Sequence, residues 1–84
     1  MIVLRKIKKS SNIVVSGLLV GEKNGNNKVF NTLDSFDPDN IRVLVNGQGL
    51  KKDIDFEVSG VNEVTLIYIA PLDEDNIGAI YEVV

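Results

Sequence analysis

The dipeptide Asn46-Gly47, with alternating residues leading into it, constrains this chain more than any other feature. Both central positions of a type I′ turn need positive φ, which asparagine tolerates and glycine accepts freely, so the chain should reverse there. Before the turn, Ile41, Val43 and Val45 alternate with Arg42 and Leu44, the period of a strand with one buried face. After it, Gly49 to Asp53 reads as a short exposed connection. Phe56 and Val58 then alternate with Asp55, Glu57 and Ser59, which predicts a half-buried strand. Ser59-Gly60-Val61-Asn62 is a second turn candidate. The run from Val64 to Ile69 is rich in β-branched and aromatic residues and too short for a typical helix, so it reads as another strand. Ala70-Pro71 ends it, because proline has no N–H to give to a ladder.

The rest of the chain fits the same alphabet. Met1 to Ile7 reads as an extended arm or edge strand. The basic cluster and the apolar run Ile13 to Val20 occur in the order of a secretory signal. That run is short, is interrupted by Ser16-Gly17 and lacks an A-x-A-like site, so a cleaved signal is not expected. It is also too short to span a membrane. Gly21 to Lys28, GEKNGNNK, should be a loop or hairpin tip, followed by the brief apolar segment Val29 to Thr32. Asp34 to Asn40 reads as a loop, since Pro38 disfavours helical geometry at Asp37, and Phe36 within it should plug an end of the core. Asn76 to Val84 should be a closing strand, entered through the acidic turn Asp73-Glu74-Asp75. Helical periodicity is nowhere sustained for three turns. The expected fold is therefore all-β: a small antiparallel sandwich or barrel-like domain of about six or seven short strands with an extended N-terminal arm. Residues 1–20 would be the arm and first strand, and 21–84 the sandwich module.

Size makes such a domain dependent on help. A chain of 84 residues supports one core that hides only about 60–65% of the surface the unfolded chain exposes. With no cysteine and no histidine there is no disulfide framework and no thiolate or imidazole metal site, which leaves oligomerisation as the common way to support it. The net charge of −3 is unevenly spread, with +5 over residues 1–28 and −8 over residues 29–84. Such asymmetry suits a basic arm that meets nucleic acid or the acidic face of a neighbouring copy.

Materials for catalysis are scarce. Histidine and cysteine are missing, and Ser10, Ser11, Ser16, Ser35 and Ser59 have no strong base nearby in sequence. Asp53, Asp55 and Glu57 alternate with apolar residues, which is more simply the solvated face of an edge strand. No catalytic residue is expected. Asp34, Asp37, Asp39 and Asn40 form one oxygen-rich cluster and Asp73, Glu74, Asp75 and Asn76 another. Neither matches the EF-hand pattern, and turn-forming acids are the favoured reading over a calcium site. No cofactor or metal is expected. Arg5, Lys6, Lys8 and Lys9 are candidate partner-binding residues. Without interleaved aromatics nucleic acid is not the expected partner, and a neighbouring subunit whose acids include Asp53, Asp55 and Glu57 is. Tyr68 and Tyr81 are the remaining candidates, as interface anchors or as core-edge packing.

The same stretches, taken in order, carry a resemblance. They run Gly25-Asn26-Asn27-Lys28-Val29-Phe30-Asn31-Thr32, then Val43-Leu44-Val45-Asn46-Gly47-Gln48-Gly49-Leu50, then Asp55-Phe56-Glu57-Val58-Ser59-Gly60, then Val64-Thr65-Leu66 to Ala70-Pro71, then Ile77 to Tyr81. Over residues 21–83 this resembles a β module of tailed-bacteriophage virion structural proteins, of the tail fibre, baseplate and neck type. The module often has a Gly-Asp pair after Ala-Pro, where this chain has Glu74-Asp75. The resemblance implies a non-enzymatic structural role in a virion, through contacts with other virion proteins and with copies of itself, at the neck or tail or as capsid decoration. No membrane is implied. The alternative expectation is a surface or secreted β module that binds carbohydrate or a host protein.

Overall fold

The computed structural model describes residues 13–84, and over them the chain is all-β. Seven strands follow one another: β1 (Val14–Leu18), β2 (Val29–Asn31), β3 (Phe36–Val45), β4 (Gln48–Gly49), β5 (Phe56–Gly60), β6 (Glu63–Leu66) and β7 (Ile77–Val83). They form two sheets with antiparallel pairing throughout, one in the order β1-β7-β3-β4 and the other β2-β6-β5. The expected class and strand number are both met.

Period-2 alternation builds the core. On β7, Ile77, Ala79 and Tyr81 are buried and lie opposite Val45, Val43 and Ile41 of β3. Phe30, Phe56, Val64 and Leu66 fill the space from the second sheet. Each such large side chain contributes about 1.5–3 kcal/mol by leaving water. The two sheets are also sewn together along one side. Beyond β1, Val20 and Asn31 exchange both backbone hydrogen bonds at 2.8 Å, turning the β1 edge into the β2 edge. Elsewhere the Phe36 N–H at the start of β3 donates to the Val61 carbonyl, in the turn between β5 and β6, at 3.1 Å. The result is a sandwich partly closed towards a barrel.

The Asn46-Gly47 turn has the expected geometry, with φ of 51° and 85°. Its hairpin is short, because β4 contributes only Gln48 and Gly49 before the chain leaves for the other sheet. The Asn46 side chain holds the turn instead. Its Oδ1 accepts from the Asn76 N–H at 2.8 Å and its Nδ2 donates to Asp75 Oδ1 at 3.0 Å, tying the turn to the start of β7.

Two sequence expectations need correction. The segment Asp34 to Asn40 is not simply a loop, since β3 begins at Phe36. Phe36 pairs with Val83 and Ile41 with Tyr81, so five steps on β3 face two on β7. Pro38 sits in that bulge, where its missing N–H leaves no ladder position vacant. Phe36 itself is buried as expected, its ring 6.0 Å from that of Tyr81. The strand read from Val64 to Ile69 ends at Leu66. Ile67 still donates to the Asp55 carbonyl at 2.9 Å before the chain bends away. The first strand expected within residues 1–20 is β1, which pairs with β7 along its whole length and belongs to the first sheet.

Candidate functional site

The feature of the surface that the fold leaves least explained is the open side of β1. Ile13 accepts from the Val83 N–H at 2.8 Å and Leu19 donates to the Ile77 carbonyl at 2.9 Å, so odd-numbered residues of this strand face β7. Antiparallel ladders alternate, and the N–H and C=O groups of Val14, Ser16 and Leu18 therefore point away from the sheet. Among the described residues no strand lies on that side. Native edges are usually guarded by charge, proline or a bulge. From Ile13 to Val20 there is no charged residue and no proline, and the β1–β7 register runs without a shift.

Side chains reinforce the impression of an unfinished sheet. Ile13, Val14 and Leu18 are 62%, 63% and 71% exposed. On the outer face, Ser16 and Arg42 flank Ile80, while Leu18 and Leu44 flank Gly78. A half-buried Ile80 and Leu44 thus continue the apolar surface that Val14 and Leu18 begin. On the other face, a Cβ placed on Gly17 would meet nothing within 4 Å.

The end of the sheet where β1 finishes is acidic. Lys23 donates to the Asp75 carbonyl at 2.7 Å and Gly25 to that of Pro71 at 2.9 Å, which packs the Gly21–Lys28 loop on the Asp73–Asp75 turn. Glu22, Asp73 and Glu74 are exposed there. Asp75 Oδ1 accepts from Asn46 and Oδ2 from the Leu72 N–H at 2.9 Å. These bonds, the Asn46 one foremost, and then nearby Lys23 hold the Asp75 carboxyl below its ordinary range. The other acidic cluster also shapes its own turn. Asp37 Oδ1 accepts from the Asp39 N–H at 2.9 Å and Oδ2 from Asn40 Nδ2 at 2.8 Å, while Asp34 accepts from the Tyr81 hydroxyl at 3.1 Å. Among the described residues no three acids converge as a cation site.

The candidate residues separate clearly. Arg5, Lys6, Lys8 and Lys9 lie outside the described residues. Tyr68, on the bend after β6, is 76% exposed and is available to a partner. Tyr81 is 4% exposed, so it packs in the core and offers no anchor on this surface. Burial above all, and then the Asp34 carboxylate, push its phenol pKa up. Asp53, Asp55 and Glu57 do not form one acidic face. Asp53 adopts a positive φ of 67° in a turn and Asp55 Oδ2 caps the Lys51 N–H at 2.9 Å, leaving Glu57 exposed on the edge strand β5.

A shallow apolar groove of about 510 Å³ lies between the β3 bulge and β5, lined by Phe36, Pro38, Val58, Val61 and Val84. Sequence reasoning found neither this groove nor the open β1 edge. For the edge the signal was present: an apolar run with no charge in it, which reads as a first strand but does not by itself say that the strand stands at an edge. Compared with family models, characterised proteins and solved structures, the chain finds no match.

Proposed function

We propose that this protein is a non-enzymatic structural component of a tailed-phage virion, located at the neck, in the tail or on the capsid surface, and acting through protein contacts in a symmetric assembly. The observation that carries this reading is the unguarded edge of β1, with exposed apolar side chains beside it. A sheet left open in this way gains from a neighbouring chain that satisfies its backbone groups and covers its apolar flank. The order of strand and turn signatures between Gly25 and Tyr81 supports the virion setting. The basic residues before β1 supply charge opposite in sign to the rest of the chain, which suits a neighbour of the same kind.

The test is to express the tagged chain in an infected host, purify particles by density gradient and quantify it by mass spectrometry and immunogold labelling. The proposal expects a fixed copy number per particle and label confined to one structure. A chain found free in the lysate and missing from purified particles overturns it. Glycan arrays and cell-binding assays address the other class, for which exposed Tyr68 is the aromatic on offer. Saturable glycan binding that Tyr68→Ala removes would favour the surface module.

A further inference from the structure

We infer that the occupant of the open edge is β1 of a second copy, paired antiparallel about a twofold axis that passes beside Ser16. This goes beyond the virion reading and stands without it, since it concerns only the chain and its own copy.

The register follows from which groups are open. Val14, Ser16 and Leu18 face outward, and Val20 is already engaged by Asn31. A twofold centred on Ser16 sets Val14 opposite Leu18 of the other copy, Ser16 opposite Ser16, and Leu18 opposite Val14. All three pairs then fall at hydrogen-bonding positions, and every open N–H and C=O of the strand is used. Shifting the centre to a neighbouring residue brings in Val20 or leaves one of the three unpaired. The same register sets Val15 opposite Gly17 of the other copy, where the absent side chain leaves open space for the valine. On the outer face Val14 and Leu18 of each copy meet, next to Ile80 and Leu44. No like charges face one another, because the strand has none.

Antiparallel pairing also directs the remaining chain. The twelve residues before Ile13 carry +4, and residues 13–84 carry five basic residues against twelve acids, a net −7. Each strand enters the pair at its partner's Leu18 end, so Ile13, the residue that follows the basic segment in sequence, lies at the end that displays Glu22, Asp73, Glu74 and Asp75. Parallel pairing would send it to the opposite end. Charge complementarity therefore favours the same arrangement as the hydrogen bonds.

The experiment uses the full chain and four variants. Light scattering at low salt should give wild type twice the monomer mass. Ser16→Lys, which places two ammonium groups across the axis on an exposed strand face, should give the monomer mass with an unchanged circular dichroism spectrum. Because the chain has no cysteine, Ser16→Cys should crosslink to a dimer under mild oxidation, directly opposed Cα atoms in such pairs being about 5.5 Å apart. Ser59→Cys, exposed on the edge strand β5 of the other sheet, should stay monomeric on the same gel. A monomeric wild type, a folded Ser16→Lys that remains dimeric, or equal crosslinking at both positions overturns the inference. So does a monomeric wild type whose deletion of residues 1–12 creates the dimer, since the chain's own arm would then be the cover.

Discussion

At the scale of single residues, two polar side chains link pH to the fold with opposite signs. The Tyr81 hydroxyl donates to Asp34 from a buried ring, and its pKa lies above the ordinary 10.0. Below pH 10 the phenol is protonated in both folded and unfolded chains, and its contribution is complete. As pH rises from the unfolded value through the raised folded one, the unfolded chain loses its proton first and stability falls. Tyr81→Phe should flatten that alkaline limb in urea melts at pH 8 to 11, at a cost of about 0.5–1.5 kcal/mol near neutrality. Asp75 behaves in the reverse sense. Its carboxyl is held below 3.8 mainly by Asn46, so its contribution is complete well above that value and is lost as pH falls from it through the lower folded one. Asn46→Gly suits the positive φ and removes only the side-chain bonds. Melts from pH 5 to pH 2 should show a shallower acid limb in this variant, and an unchanged limb would refute the role given to Asn46.

At the scale of elements, what the sequence made legible was whatever depended on nearest neighbours. Asn46-Gly47 announced its turn because two adjacent positive φ angles suit few other dipeptides, and β7 announced itself through Ile77, Ala79 and Tyr81. The first part of β3 was hidden because Pro38 ordinarily ends pairing, and only the three-dimensional bulge makes it harmless. The open edge was hidden for a related reason, since which strand stands last in a sheet is a property of topology rather than of local pattern. Gly21 shows the same limit. It follows β1 in an exposed position, yet a Cβ there would lie 2.5 Å from Cδ1 of the buried Phe30 and 2.9 Å from the Val29 carbonyl. Gly21→Ala must therefore push the corner where β1 becomes contiguous with β2. A loss of roughly 1–3 kcal/mol is expected in equilibrium urea denaturation, the usual cost of overpacking. Gly17→Ala, on the same segment but in open space within the single chain, should cost less than half as much when both are measured in the monomeric Ser16→Lys background.

For the whole molecule, the core is small relative to what it must hold. Ten buried apolar residues carry the described part of a chain that has no disulfide to restrict its unfolded state. Stability for 84 residues is then on the order of 4–13 kcal/mol, and the lower part of that range leaves little margin for an uncovered sheet edge. Pairing through β1 would make part of that stability depend on concentration, because mass action favours the associated state as protein is added. For a folded dimer that unfolds to separate chains, a tenfold rise in protein is worth about 0.7 kcal/mol per chain, or roughly 3–6 °C in a domain of this size. Thermal melts at 5, 50 and 500 µM should therefore shift upward by that interval at each step. Ser16→Lys should melt at one temperature throughout, near or below the lowest wild-type value. The comparison separates two explanations for the apolar residues on β1: a covered edge gives the concentration dependence, whereas an edge merely tolerated by a self-sufficient core gives none.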